Sequence, residues 1–261
     1  MKIEQIRSAT VRIEYAGITF LTDPWLIEKG GMGPFNDKSF RYCKKEQETI
    51  AMPMCDLPKS VDEILNGVDA YIVTHVHPDH IDMSVDGTVG NFLNKKVPVF
   101  VQSPEDANTL KRSGFEQVLT LSENSCFGAV RLTKTPGRHG TKIPCGPSCG
   151  VIVEHPKEKK LYIAGDTIWY DGVATTLSKY KPDVIILNAC AAEFIDQGRL
   201  IMDDSDVNEV YKACPKASII ASHMDNVAHA TITRATMYDR LKKRGIEDKI
   251  LIPDDGEQYS F

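Results

Sequence analysis

The feature that most constrains this chain is a dense group of potential metal ligands at positions 75–80, with the sequence HVHPDH. It directly follows the apolar, β-branched and aromatic stretch 68–74, which predicts a buried strand in a parallel-type sheet. Side chains on an extended chain alternate between two faces, so His75 and His77 project to the same side and can reach one ion. So many ligands at one strand end indicate a metal-dependent enzyme.

Pro78 cannot continue the hydrogen-bonded ladder, and the chain is therefore expected to turn there. After the turn, Asp79 and His80 point in a new direction, which favours a second ion over further ligands on the first. Two-metal hydrolytic sites hold their ions roughly 3.5 to 4 Å apart. The alternative is a set of surface histidines at a strand end that bind no ion.

Three more potential ligands stand in a similar sequence context elsewhere in the chain. Each follows a segment that has the composition or the alternation of a strand, and each lies where that segment gives way to a turn or loop. A binuclear site needs more ligands than one hexapeptide offers, and these residues can supply them. They are His139 after 130–135, Asp166 after 161–164, and His223 after 217–222.

The order of these residues resembles that of the metallo-β-lactamase superfamily of hydrolases: HxHxDH, a loop histidine, Gly-Asp-Thr, and a strand-end histidine. The segments ATVRIEYAGITFLTDPW and YIAGDTIWYDG are most similar to the branch that contains L-ascorbate-6-phosphate lactonase. The resemblance extends from about Met1 to the carboxyl terminus. It implies an α/β fold, a four-layered αββα sandwich of two mixed β-sheets flanked by helices.

The resemblance also implies how the ligands divide between two divalent ions. Imidazole and carboxylate ligands suit zinc, our first choice, and also manganese or iron. The absence of a cysteine ligand near these residues argues against a thiolate site. A carboxylate between two ions reduces their mutual repulsion. The implied set is His75, His77 and His139 on one ion, Asp79, His80 and His223 on the other, and Asp166 bridging both.

From this site we expect a hydrolase in which a metal-bridging hydroxide attacks a small ester, lactone or phosphoester. Asp79 is expected to orient that nucleophile and accept its proton. One alternative is a non-haem iron redox enzyme on the same scaffold, for which the loss of one ion site would be the sign. Another is a binding module without turnover. Every ligand position is filled, which favours the hydrolase.

Two further residues are candidates for roles at the site. His229 stands six residues after His223 and could protonate a leaving group or bind an anionic substrate oxygen, or it could be an ordinary histidine at a helix start. Asp23, before Pro24, is interpreted first as a turn residue and second as a partner for the free nitrogen of a ligating imidazole. Asn188, Ala189 and Cys190, at another strand end, could flank the same cleft, but we expect them rather to pack beside it.

We expect one domain over 1–261, with a pocket-forming insertion or lid at 28–59. That segment has no clear periodicity and is long for a loop in a compact domain, and long loops are usually functional or disordered. It is predicted to fold over the metal cleft. An oligomer contact is the alternative. Its candidate pocket residues are Met32, Phe35, Phe40, Tyr42 and Met52.

Composition limits the partners. The formal net charge is −5 and there is no dense basic stretch, so nucleic acid is not expected as a partner. A small-molecule substrate is expected, and an anionic one remains open. No apolar run reaches the length of a membrane span, and no signal peptide precedes the first strand, which predicts a cytoplasmic protein without a membrane partner. Seven cysteines favour reduced thiols, with Cys145 and Cys149 incidental. A homo-oligomer remains open.

Stop residues and caps predict helices at 104–113, 203–214 and 231–244, and Ser60 with Glu63 predicts a capping box. In the last helix, Ala235, Tyr238 and Leu241 are expected to face the sheets.

Overall fold

The computed structural model, which describes residues 1–261, contains two seven-stranded mixed sheets packed face to face with helices on both outer faces. The strands in chain order are β1 (Lys2–Arg7), β2 (Thr10–Tyr15), β3 (Ile18–Thr22), β4 (Ala70–Val73), β5 (Val99–Val101), β6 (Val118–Thr120), β7 (Ser125–Phe127), β8 (Val130–Pro136), β9 (Cys149–Glu154), β10 (Leu161–Ile163), β11 (Val184–Asn188), β12 (Glu193–Phe194), β13 (Gly198–Arg199), β14 (Ser218–Ser222), β15 (Ile250–Leu251) and β16 (Gln258–Ser260).

The first sheet has the order β16-β1-β2-β3-β4-β5-β6, and the second has the order β15-β14-β11-β10-β9-β8-β7. In the first, β3 to β6 run parallel and β16, β1, β2 and β3 are antiparallel neighbours. In the second, β10, β11, β14 and β15 run parallel, and β7 to β9 extend the sheet in antiparallel fashion. β12 and β13 form a separate hairpin. The mixed sandwich that the sequence predicts is confirmed.

The helices are α1 (Val61–Leu65), α2 (Pro104–Arg112), α3 (Asp171–Tyr180), α4 (Asp204–Ala213) and α5 (Arg234–Arg244), with 3-10 helices at Lys45–Thr49 and Glu247–Lys249. The predicted helices and the Ser60 capping box are present, the helices with slightly shorter bounds. α3 was not predicted from the sequence. No helix is both long enough and apolar enough to cross a membrane.

Alternation along the strands separates the core into layers. In β4, Ala70 and Ile72 belong to the cluster between the sheets, whereas Tyr71 and Val73 belong to the cluster that also contains residues of α1 and α2. β11 divides in the same way between the inter-sheet cluster and the cluster under α3, α4 and α5. β4 and β11 therefore bury both of their faces, as strands do in sheets that are covered by helices. The molecule accordingly has four layers, two of sheet and two of helix.

The orientation of α5 differs from the prediction. Met237 and Leu241 are its buried residues, whereas Tyr238 is 46% exposed and Ala235 also faces solvent. The buried pair is spaced by four residues, which is the other spacing that keeps two side chains on one helix face.

Candidate metal centre

The loops that follow four strands come together at one edge of the sandwich and carry the potential ligands. The HVHPDH segment follows β4 of the first sheet, and the other ligands follow strands of the second sheet. The carboxyl ends of β10, β11 and β14 share this edge because the three strands are parallel. The contributions of the second sheet are His139 after β8, Asp166 after β10 and His223 after β14.

Seven side chains form three overlapping groups in which the potential ligand atoms lie within 4.8 Å of one another. Two of the groups have the composition that the resemblance implied for the two ions, and the third connects them through the shared carboxylate. The groups are His75, His77 and His139; Asp79, His80 and His223; and His75, His80 and Asp166. The predicted ligands are thus brought together, and none is left outside the centre.

The ring nitrogens and carboxylate oxygens point at common positions. His75 Nε2 lies 2.9 Å from His77 Nδ1, and His80 Nε2 lies 3.0 Å from His223 Nε2. One oxygen, Asp166 Oδ2, faces three imidazoles, with Nε2 distances of 3.3 Å to His80, 3.7 Å to His139 and 3.8 Å to His75. The lone pairs of these nitrogens and oxygens therefore converge on a small space. This is the arrangement in which protein side chains coordinate a cation.

The electrostatics of the centre fit cations. Burial lowers the pKa of His75 well below its usual value and that of His77 to about 4, so both stay neutral and keep a lone pair for an ion. Burial opposes ionisation of Asp79 and Asp166, but the neighbouring histidines hold the pKa of each carboxyl well below its usual range.

No Lys or Arg side chain forms an ion pair with Asp79 or Asp166, although both are buried. Buried carboxylates without a counter-charge are costly. The set of imidazole nitrogens and carboxylate oxygens is suited to zinc, manganese or iron. The residues present therefore fit the divalent ions that the fold implies.

The second nitrogen of four ligating imidazoles has a neighbour that fixes the ring. His139 Nδ1 lies 3.0 Å from the Leu200 carbonyl oxygen, and His223 Nδ1 lies 3.2 Å from Ser8 Oγ. His75 Nδ1 is next to a threonine hydroxyl, and His80 Nδ1 is 3.1 Å from Asp23 Oδ2. Such contacts orient ligands in metal sites.

Asp23 has both of the roles between which the sequence left a choice. Its φ of 43° marks a turn after β3, and its carboxylate also accepts hydrogen bonds from Thr74 N and Thr74 Oγ1, each of 2.8 Å. Our preference for a turn alone was therefore incomplete.

Asn188 contacts the centre directly, contrary to our expectation that it packs beside the cleft. Its Nδ2 donates a 2.7 Å hydrogen bond to Asp166 Oδ1, and the side chain is buried. Cys190 and Cys145 line the adjoining cavity, and no cysteine belongs to the ligand groups. A polar residue at the end of a strand parallel to β10 was the available signal for Asn188.

His229 lies at the centre and not at a helix start, because α5 begins only at Arg234. Its Nε2 is 3.5 Å from Asp79 Oδ2, and the ring is buried. Phe35 and Phe40 pack on the imidazole with ring centroids 5.1 and 4.6 Å away. His155, by contrast, lies in the loop after β9 and belongs neither to the ligand groups nor to the cavity lining.

A cavity of about 270 Å³ adjoins the ligands. Its lining combines potential metal ligands with aromatic and aliphatic side chains. None of the lining residues is a lysine or arginine. The lining consists of Phe35, Asp37, Phe40, His77, Pro78, Asp79, His139, Cys145, Asp166, Cys190, Ala192, Leu200, Ile201, His223 and His229.

Part of the 28–59 segment covers this cavity. Phe35, Asp37 and Phe40 line it, whereas Met52 is buried in the core beneath and Met32 packs against that core. Backbone hydrogen bonds attach the segment to the β12–β13 hairpin, because Arg41 N donates to the Glu193 carbonyl and Ile195 N to the Ser39 carbonyl, each at 2.8 Å. Tyr42 packs beside Phe40 but is not among the lining residues.

The comparisons with known proteins agree with this architecture. A family model described as a beta-lactamase superfamily domain matches residues 20–224. The UPF0173 protein YddR of Bacillus subtilis is 40% identical over 265 aligned residues, which cover 100% of both proteins.

Two solved structures are similar over the whole chain. The crystal structure of an isothiocyanate hydrolase from Delia radicum gut bacteria has a TM-score of 0.90 and 35% sequence identity, covering 100% of this chain and 99% of that one. A protein described as "a possible metal-dependent hydrolase" from Veillonella parvula has a TM-score of 0.91 and 33% identity with the same coverage.

Proposed function

Since this chain belongs to the metallo-β-lactamase superfamily and to its UPF0173 family of metal-dependent hydrolases, we propose that it hydrolyses a small uncharged electrophile, with isothiocyanates as the first substrate class. The observation that carries the proposal is a cavity that joins the ligand cluster to an apolar wall. The similar isothiocyanate hydrolase supports the choice of substrate.

We further propose that the site is binuclear. The two ligand groups, which Asp166 links, support two ions, zinc first and manganese or iron as alternatives. When bound, such ions lower the pKa of a water molecule from 15.7 to roughly 7 and polarise the electrophilic atom of the substrate.

The cavity wall supports an uncharged substrate with an apolar substituent. Phe35, Phe40 and Ile201 offer apolar surface to the substituent within the same cavity that the potential ligands line. A phosphoryl group is usually bound by Arg or Lys, and neither type lines the cavity. Of the substrates that the sequence predicted, esters and lactones are therefore better candidates than phosphoesters or a phosphorylated lactone.

The residues around the cavity can move the protons that the reaction requires. As the water oxygen bonds to the central carbon of R–N=C=S, Asp79 Oδ2 accepts a proton, and His229 Nε2 at 3.5 Å can pass it to the substrate nitrogen. The product of this addition is the thiocarbamic acid R–NH–C(=O)–SH. Transfer of its remaining acidic proton to nitrogen breaks the C–N bond and gives R–NH2 and carbonyl sulfide, which accounts for all atoms of the isothiocyanate and one water.

The test compares substrate classes on purified protein whose metal content is measured. We expect turnover of an aralkyl isothiocyanate, weaker turnover of an uncharged lactone or ester, and none of phosphomonoesters or phosphodiesters. His77→Ala should abolish activity, since it removes a ligand. Preference for a phosphoester, or turnover that does not respond to chelation and to His77→Ala, would overturn the proposal.

The role of His229 has its own test. His229→Ala should lower kcat while the metal content stays that of the wild type, because the residue is not among the seven ligands. Unchanged turnover would remove it from the mechanism.

The redox and binding-module alternatives predict different results in the same experiment. An iron redox enzyme should purify with iron and consume oxygen or an oxidisable substrate, and a binding module should bind ligands without turnover. Hydrolysis with two equivalents of zinc or manganese excludes both.

A further inference from the structure

We propose that Asn188 is a positioning residue that holds the Asp166 carboxylate so that a single oxygen, Oδ2, is presented to both metal ions. The inference rests on the proposed binuclear site and goes beyond it, because it explains how the carboxylate between the two ligand groups is kept in one orientation.

The two oxygens of Asp166 have different surroundings. Oδ1 accepts the 2.7 Å hydrogen bond from Asn188 Nδ2. Oδ2 lies 3.3 to 3.8 Å from ring nitrogens of His75, His80 and His139, which belong to both ligand groups. The amide therefore engages Oδ1, while Oδ2 is the oxygen that lies nearest to the ring nitrogens.

The position of Asn188 makes this contact rigid. It is the last residue of β11, and its Cα pairs with that of Ser222 on β14, directly before the ligand His223. Asn188 is 5% exposed and Asp166 is 4% exposed, so neither side chain can turn out into solvent. The contact spans two neighbouring parallel strands, and the carboxylate orientation is thus set by the sheet and not only by the loop after β10.

The hydrogen bond also has the correct polarity. An ionised carboxylate only accepts hydrogen bonds, whereas a side-chain amide can donate through its nitrogen. Replacing the amide by an aliphatic side chain removes the donor, and replacing it by a carboxylate puts a second acceptor against Oδ1. Either change should let Asp166 rotate, which separates the two ions from their shared ligand.

The test measures metal binding to the apoprotein and not turnover. Apoprotein is titrated with Co²⁺, whose visible spectrum reports ligand geometry, and with Zn²⁺ in competition with a chromophoric chelator. We expect Asn188→Leu to bind metal 10 to 100 times more weakly, the range typical for partners of metal ligands. Its Co²⁺ spectrum should also differ from that of the wild type.

Asn226→Leu is the matched control, because Asn226 is also buried and its Nδ2 donates to a carboxylate, that of Asp255, outside the ligand set. It should retain wild-type metal affinity even with a lower Tm. Asn188→Asp keeps the size of the side chain and is used if the leucine variant does not fold.

Wild-type affinity and an unchanged Co²⁺ spectrum in the folded Asn188 variant would overturn the inference. The proposed binuclear function fails in a different way, namely if the wild-type protein itself takes up fewer than two ions.

Discussion

Asp23 Oδ2 lies 3.1 Å from His80 Nδ1, on a ring whose other nitrogen, Nε2, is 3.3 Å from Asp166 Oδ2. The imidazole therefore stands between a carboxylate of the turn after β3 and the carboxylate shared by both ligand groups. Although burial opposes a charge there, these two carboxylates raise the pKa of His80 well above its usual value. The ring is thus held with Nδ1 towards Asp23 and Nε2 towards Asp166, and an ion that binds at Nε2 displaces a proton.

Asp23→Asn should weaken metal binding to the group of Asp79, His80 and His223 by about 10- to 100-fold. The reason is that the His80 ring loses the carboxylate that orients it and increases its basicity. The measurement is metal stoichiometry and affinity of the apoprotein. Asp69→Asn is the control, since Asp69 is exposed at the other end of β3, where it accepts a hydrogen bond from Thr19 N. Equal affinities for the two variants would contradict the prediction.

Removal of metal should lower thermal stability. The buried carboxylates of Asp79 and Asp166 lose their counter-charges, and binding at 100 times Kd contributes about 2.7 kcal/mol for one ion. For a chain of this size the expected decrease in Tm is roughly 5 to 10 °C. Differential scanning calorimetry with and without chelator measures it, and re-addition of metal should restore the Tm. A Tm that chelation leaves unchanged would count against the site.

The ligands could be predicted from the sequence because each has a local signal. An apolar, strand-like segment ends next to every one of them, and in parallel strands such ends meet at one edge, as they do for Asp166 and His223. The uninterrupted apolar stretch before His75 likewise predicted a buried strand, and all four residues of β4 are buried.

What the sequence could not supply are contacts between distant segments. Ser8 and His223 are 215 residues apart, and the partner of His139 is the backbone carbonyl of Leu200, which has no side-chain signal at all. Asn188 looked like any polar residue at a strand end. The prediction for α5 is confirmed for Leu241 and wrong for Ala235 and Tyr238, because the spacing of its apolar residues allowed two faces and only packing selected one.

Phe40→Ala should raise the KM for an apolar substrate by about tenfold, which corresponds to about 1.4 kcal/mol, a cost expected for loss of an aromatic wall. The side chain lines the cavity and packs on Phe194 and His229 with centroid distances of 4.5 and 4.6 Å. It should also lower kcat, since His229 loses a ring that holds it. Steady-state kinetics separates the two effects. Phe92→Ala, at an exposed phenylalanine outside the cavity, should change neither constant.

Asp37→Asn should improve the binding of substrates that carry a carboxylate. Asp37 is the one acidic residue of the cavity lining outside the ligand set, and hydrogen bonds from Ser39 N (2.8 Å) and Ser39 Oγ (2.7 Å) fix its carboxylate. Because the side chain is exposed, the KM should fall only a few-fold and the effect should shrink as salt increases.

The control for charge alone is Asp86→Asn, an exposed aspartate with the same local hydrogen bonds from Thr88 N and Oγ1. A matched pair of substrates, one neutral and one with a carboxylate, measures the preference. If both variants shift the KM ratio equally, net charge and not the cavity determines it.

Arg7→Met should destabilise the protein by about 3 kcal/mol and loosen the 28–59 segment. The buried guanidinium donates to the carbonyl oxygens of Trp25 at 2.9 Å, Ile27 at 2.7 Å and Cys55 at 3.2 Å, so one side chain connects both ends of that segment. Methionine fills the space but leaves the carbonyls unsatisfied, and each such loss costs about 1 to 3 kcal/mol.

Urea unfolding measures the decrease in the free energy of unfolding, and hydrogen exchange of residues 28–59 measures the loosening. Arg12→Met, which removes a half-buried arginine of the neighbouring strand that donates to Glu14 and to the Asn66 carbonyl but not to residues 28–59, is the control; it should cost less free energy of unfolding than Arg7→Met and leave the exchange of the segment unchanged. Equal losses in the two variants, or unchanged exchange in the segment, would show that Arg7 does not anchor it.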